Sequence, residues 1–201
     1  MRGFSDDERA EIRSELVETA SQLIAIHGFE KVTVQDVTEP VGIAESTFYR
    51  FFDSKADLYT EVLLRENKAL FDAIEAEVSA DSPPEERLER VLAVWAREFE
   101  ARPLLVESHQ SPQRMLRYMD EQTLERAMEQ FAERAVPIVE DIQTDSDGLI
   151  AELDPMMVIH LFSVIELTVA QKELYERFGK AEFSGFQDAL RMTLVRGLLA
   201  E

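Results

Sequence analysis

Apolar residues recur at three- and four-residue spacing from near the start of the chain, and no stretch of useful length alternates apolar with polar. Ile12, Leu16, Ala20 and Leu23, with His27, share one face of a first helix that Gly28 and Phe29 should stop. A short second helix begins at a capping Thr33, carries Val34 and Val37 inward, and is broken by Pro40 and Gly42. A further unit opens at Ile43 and runs through Phe48 and Phe51. Asp53 or Ser54 can cap the next helix, on which Leu58, Val62, Ala69 and Ile74 lead towards Val78. Two short helices joined at a steep angle by a glycine-containing turn form a helix-turn-helix, which presents its second helix to DNA.

The pattern continues as helices to the end. Ser82, as cap, opens one through Pro83, with acids in its first turn and Leu88, Val91, Leu92, Trp95 and Phe99 as its buried stripe. Arg102-Pro103 and Ser111-Pro112 punctuate two short helices, and a long pattern over 122–142 should kink or unwind at Pro137. Residues 145–148 read as a loop. Asp154-Pro155 starts a helix reaching about Phe178, and 182–200 supply the last. Residues 156–170 are apolar on almost every face, so they are buried on several sides. The final helix stacks Phe186, Leu190, Leu194 and Leu198 beside the small Ala189, Thr193 and Gly197. Such a seam meets either a second subunit or a closely packed monomer core. The expected fold is therefore all-α: a three-helix helix-turn-helix domain at 1–55, a linking helix at 56–80 and a helical domain at 81–201.

The order of residues in 33–55 resembles the TetR (TetR/AcrR) family of repressors. Its threonine-led helix, small-Gly-aliphatic turn, Thr-aromatic-Tyr-x-aromatic-Phe run, and polar pair before Lys match Thr33, Val41-Gly42-Ile43, Thr47-Phe48-Tyr49-Arg50-Phe51-Phe52 and Asp53-Ser54-Lys55. The resemblance covers roughly the first 65 residues. It implies a double-stranded DNA operator as partner, with Tyr49 and Lys55 on phosphates, Thr33 and Thr47 as hydroxyl donors, and Gln35, Glu45, Ser46 and Arg50 among the contacts to base edges or backbone. It also implies a homodimer built on the last two long helices, here through Phe186, Ala189, Leu190, Thr193, Leu194, Gly197 and Leu198. Two-fold symmetry would make the operator palindromic, with half-sites about 10 bp apart or a small multiple. Two positions depart from the family: Ala44 replaces a usual capping Ser or Thr, and Glu45 a usual Lys or Gly.

The resemblance further implies that a small hydrophobic or amphipathic effector binds the C-terminal body and shifts the spacing of the two readers. Candidate lining residues are Trp95, Phe99, His109, Met115, Tyr118, Phe131, Met157, Phe162 and Glu166, each of which reads equally as ordinary core. Glu166 stands out because a carboxylate within an apolar helix is costly unless paired. An arginine across the dimer is its structural partner in one reading, and a cationic ligand in the other.

Composition then complicates the picture. The formal net charge is -20, and residues 33–59 hold two bases, Arg50 and Lys55, against five acids, Asp36, Glu39, Glu45, Asp53 and Asp57. A DNA-binding face should be basic. Either the charges are sorted within the segment, or the protein works in concentrated salt, where screening shrinks to about 3 Å at 1 M. Five lysines against sixteen arginines, with abundant Glu and Asp, fit the second; an acidic body that serves only solubility fits the first. A regulator-derived interaction protein without sequence-specific DNA binding is the alternative function.

No cysteine is present, which removes disulfides and thiolate chemistry and fits a cytoplasmic protein. No signal peptide opens the chain, and the apolar stretch 155–170, interrupted by His160 and Glu166, is too short to span a bilayer. His27, His109 and His160 lack partners at metal-ligand spacing, and no phosphate loop or nucleophile elbow occurs, so neither a cofactor nor an enzyme activity is expected.

Overall fold

The computed structural model describes residues 4–110, 115–116, 119–177 and 179–200, and among these every regular element is helical. The helices are α1 (Asp6–His27), α2 (Val34–Val41), α3 (Glu45–Phe48), α4 (Lys55–Glu77), α5 (Pro84–Ala101), α6 (Pro103–Gln110), α7 (Glu121–Thr144), α8 (Leu149–Glu152), α9 (Pro155–Ala170), α10 (Lys172–Glu176) and α11 (Lys180–Leu199). None is long and apolar enough to cross a membrane.

Local chemistry explains most boundaries. Ser5 and Glu8 form a reciprocal capping box at the start of α1, and Gly28, at φ 76°, ends that helix with its N–H on the Ile24 carbonyl. Ser54, rather than Asp53, caps α4 by accepting from Asp57 N. Asp154 caps α9 by accepting from Met156 N, with Pro155 in the first turn.

Four boundaries differ from the pattern. Ser82 does not cap α5: that helix starts at Pro84 with Pro83 in the cap position and no side-chain cap, while Ser82 N closes a turn onto the Ser79 carbonyl. α7 passes through Pro137 without unwinding, the proline lying on its exposed side, where the freed carbonyl faces water. α9 stops at Ala170, where the apolar run also stops, and a turn at Gln171 separates it from α10; the expected end at Phe178 lies outside the described residues. The short helix α8 occupies a stretch with no periodicity to betray it. The expected proline punctuation at Ser111-Pro112 also lies outside the described residues.

α1 and α2 pack on each other, and α1 also packs on α4, enclosing Leu16, Ala20, Ile24, Phe29, Val37, Phe48 and Phe52. α4 then continues into the body, where it packs on α5, α6 and α7. The pattern-selected stripe of α5, Leu88, Val91, Leu92, Trp95 and Phe99, is entirely buried. Beside it Arg87, only 1% exposed, holds the end of α7 through Asp141 (2.6 Å) and Asp145 (2.5 Å). α11 packs on α5 and α9, and Leu149 N donates to the Ala200 carbonyl at 3.1 Å, fastening the end of α11 to α8.

That fastening explains Gly148. A Cβ added there would stand 2.6–2.7 Å from the backbone of Leu199, so glycine is required by space, its φ of -79° being open to any residue. Gly148→Ala should destabilise the protein by about 1–3 kcal/mol through overpacking. A denaturant midpoint equal to wild type would show that α11 yields there freely.

Candidate DNA-reading face and effector cavity

The reader is built from short, well-capped pieces. Thr33 Oγ1 accepts from Asp36 N at 3.2 Å, and the Asp36 carboxylate accepts from both Thr33 N (2.8 Å) and Thr33 Oγ1 (2.6 Å). These bonds, the hydroxyl's first, hold the Asp36 carboxyl below its ordinary pKa. Gly42, left-handed at φ 75° and ψ 25°, ends α2, its N–H on the Glu39 carbonyl while Ile43 N reaches the Thr38 carbonyl. That double bond is a Schellman closure, and it, not Pro40, stops the helix. α3 is one turn, 45–48, opened by Ala44 without a side-chain cap and prolonged to Phe51 only by turns. Phe48, Phe51 and Phe52 face the core.

The candidate DNA contacts fall into two groups. Gln35, Glu45, Ser46, Tyr49 and Arg50 are exposed, Tyr49 at 58%, and Thr47 is half-buried. Thr33 and Lys55 are engaged within the chain. The Thr33 hydroxyl gives its proton to Asp36. Lys55 Nζ donates to the Phe29 carbonyl at 2.8 Å and lies 4.3 Å from the Phe29 ring, so burial pulls its pKa down and the side chain ties the start of α4 to the end of α1. Pattern reading missed two cations. Arg9 Nη2 donates to the Arg50 carbonyl at 3.1 Å, and Arg13 Nη1 to the Phe51 carbonyl at 2.5 Å while its other arm pairs with Glu61 at 3.1 Å. Both stack near aromatic rings, Phe51 and Phe52. Their four-residue spacing on α1 was visible in the sequence, but not the surface it would meet.

In the body, six of the nine candidate effector residues converge. Trp95 Nε1 donates to Glu166 Oε1 at 3.0 Å, and His109 Nδ1 lies 3.2 Å from both oxygens of that carboxylate. Ring centroids run 5.3 Å from Trp95 to Phe99, 5.8 Å to Phe131 and 5.7 Å to Phe162, and 4.8 Å from His109 to Phe131. Glu166, 2% exposed, thus has Trp95 and His109 as partners in its own chain. The cluster borders a cavity of about 230 Å³ walled by α4 (Leu63, Asn67), α5 (Trp95), α6 (Ser108, His109), α7 (Leu124, Ala127, Met128, Phe131) and α9 (Met156, Ile159, His160, Ser163, Glu166). Phe99 and Phe162 stand behind that wall, fully buried. Met115 lies elsewhere, accepting from Tyr59 Oη at 3.1 Å. Met157 points outward, 53% exposed, its place in the wall taken by Met156, and Tyr118 lies outside the described residues. Asn67, Ser108 and Ser163 were missed because lone polar residues in amphipathic helices carry no signal of facing a cavity. A larger cleft of about 440 Å³ between α4 and α7 is spanned by Arg134, which pairs with Asp72 and Glu75.

The seam on α11 divides. Phe186, Ala189, Thr193 and Gly197 face outward, Leu190 and Leu194 are half-buried, and Leu198 is buried. α9 adds exposed Met157, Val164 and Leu167 to the outward face.

Residues 16–62 match the bacterial regulatory proteins of the tetR family. The HTH-type transcriptional repressor KstR of Rhodococcus jostii (strain RHA1) is 30% identical over 109 residues, covering 52% of this chain and 49% of that protein. The chain therefore matches about half the length of this curated relative. The fatty acid degradation regulator FadR from Bacillus halodurans superposes with a TM-score of 0.71 over 98% of both chains at 16% identity. FadR from Bacillus subtilis, solved in complex with stearoyl-CoA, gives 0.67 over 92% of this chain and 98% of that one at 18% identity. The superantigen PfiT gives 0.70 over 98% and 100% at 15%, so the fold alone does not settle an activity.

Reader and body also meet at a polar contact. Glu66 on α4, 8% exposed, accepts from Ser21 Oγ of α1 at 2.8 Å through Oε1, while its buried Oε2 has no hydrogen-bond partner. Burial, outweighing the serine bond, raises its pKa. A raised folded-state pKa means the folded chain binds the proton more tightly. Its contribution is present below the ordinary glutamate pKa and lost as pH rises through the raised one. Glu66→Gln should therefore stabilise the protein at neutral pH and flatten its stability profile just above the ordinary carboxylate range. Thermal melts across that range check this; a variant less stable at neutral pH would refute it.

Proposed function

We propose that this chain, which belongs to the tetR family of bacterial regulatory proteins, is a homodimeric repressor released from a palindromic operator when a small amphipathic molecule fills the cavity of the body. The observation that carries the reading is the double membership of α4. Its first residue, Lys55, holds the reader through the Phe29 carbonyl, and three turns on, Leu63 and Asn67 form part of the cavity wall. A ligand that fits the cavity only when α4 is displaced would move the reader with it. Occupancy then shifts the population towards the spacing that does not fit DNA, in proportion to the ligand's preference for that state. The stearoyl-CoA held by the Bacillus subtilis neighbour is a precedent for ligand binding in this fold.

Dimerisation is supported by the outward face of α9 and α11. Met157, Val164, Leu167 and Phe186 are exposed apolar side chains, and a Cβ at Gly197 would meet nothing within 4 Å in the single chain. Open space at small residues lets a second helix approach closely. In the reader, Tyr49 and Arg50 are the exposed side chains suited to phosphate and base, and Arg9 and Arg13 add positive charge behind the recognition turn. The loss-of-DNA-binding alternative is favoured by one feature, the exposed Glu45 at the head of α3, where phosphate would be repelled.

A gel shift on DNA flanking the gene separates the two. A specific complex, a footprint with dyad symmetry and at least tenfold weaker binding by Arg50→Ala are expected, a lost bidentate base contact being worth about 1–3 kcal/mol. A stable dimer that shifts no DNA over a range of KCl concentrations would favour the alternative. Leu167→Glu with Phe186→Glu should yield a folded monomer by analytical ultracentrifugation and abolish the footprint; a dimer surviving both changes would move the interface elsewhere.

A further inference from the structure

We propose that Asn67 selects the effector's headgroup: the cavity takes an apolar molecule bearing a hydroxyl or N–H donor, whose hydrogen completes the bond that Asn67 Oδ1 lacks. This rests on reading the cavity as the effector site. Asn67 Oδ1 is buried, and no group among the described residues donates to it. A buried amide oxygen without a donor is costly, and Asn67 lines the cavity, so a donor bound there meets Oδ1 once the side chain turns towards the space.

The neighbouring groups do not supply that hydrogen. Ser108 Oγ gives its proton to the Leu105 carbonyl at 2.8 Å, and Ser163 Oγ gives its own to the His160 carbonyl at 2.6 Å, so both turn lone pairs towards the space. Trp95 Nε1 is directed at Glu166. Apart from the imidazoles of His109 and His160 and the amide N–H of Asn67, the polar wall presents acceptors, and among the described lining residues there is no lysine or arginine. A carboxylate or phosphate headgroup would bring another acceptor to Asn67 Oδ1. A neutral donor on a hydrocarbon or ring body meets Asn67 and leaves its apolar part to Leu63, Met128, Phe131 and Ile159. A ligand of equal size without a donor would fill the space and strand Oδ1, and polar sites discriminate strongly against such analogues. The bond also falls on α4, the helix that carries the reader.

Trp95 is the only tryptophan and stands in the same wall, so its fluorescence reports occupancy without DNA. Full-length protein would be titrated with n-octanol, its isomer heptyl methyl ether, which has no donor, and octanoate. Octanol should bind about tenfold or more tighter than the ether, octanoate weakest. In Asn67→Leu the alcohol-to-ether ratio should fall to near one, with ether affinity kept or improved. Equal affinities in wild type, octanoate binding best, no fluorescence response to any probe, or a ratio unchanged in Asn67→Leu would each overturn the assignment. Operator release is measured separately. Octanol preference without release would leave Asn67 as headgroup reader and defeat the effector role, whereas release by alcohol and ether alike would keep that role and defeat the selection.

Discussion

Tyr59 is the point at which the two halves of the molecule become one. Its ring is fully buried 4.0 Å from Phe29, the residue that closes the reader, and its hydroxyl donates to Met115 Sδ on the body side. Because Tyr59 stands on α4, that single helix joins the reader and body parts of one hydrophobic core, with Leu58 and Val62 near one end and Leu70, Phe71 and Ile74 at the other. Packed interiors transmit strain, so a helix buried along both halves of that core carries a displacement from one to the other. A signal generated at Asn67, as proposed, would need no pathway of its own, since the helix that carries Asn67 also carries Lys55, which is tied to the reader.

The polar groups near this helix are arranged differently at its two ends. At the reader end nearly everything is satisfied: Thr33 and Asp36 close on each other, Lys55 on the Phe29 carbonyl, Arg9 and Arg13 on the carbonyls of 50 and 51. Satisfied networks fix geometry, and a base-reading surface must be fixed before it meets DNA. Along the middle of α4 the accounting is incomplete, with Glu66 Oε2 and Asn67 Oδ1 both buried and unmet. Adjacent unmet acceptors on a shared helix lower the stability of this arrangement relative to one in which they are met, which is the property a two-state element requires.

The acidic composition looks different once folded. The -3 balance of residues 33–59 ignored α1, whose Arg9 and Arg13 lie against the back of the recognition turn, and several carboxylates are consumed locally, Asp36 by its cap and Glu61 by Arg13. Charge is therefore partly sorted by tertiary contact. The remaining surface charge would still repel phosphate and salt would screen it, so affinity for DNA in the proposed function would depend on ionic strength as much as on side-chain identity.

Sequence alone determined whatever depends on neighbours in the chain. Helical periodicity, the Thr33 cap, the stops at Gly28 and Gly42, and the buried stripe of α5 follow from local sterics and hydrogen bonding, and so does the tetR-like reader. The pattern also singled out Glu166 as a carboxylate needing partners and named Trp95 and His109 among its neighbours in function, without knowing that they were the partners. Only the tertiary structure decided what depends on residues far apart in the chain. Lys55 reaches the Phe29 carbonyl because the end of α1 lies beside it, Met115 went to Tyr59, Met157 turned outward, and Asn67 lines a cavity. A helical pattern states which face is apolar; which distant side chain covers that face, and which polar atom is left without a partner, is fixed only when the helices pack.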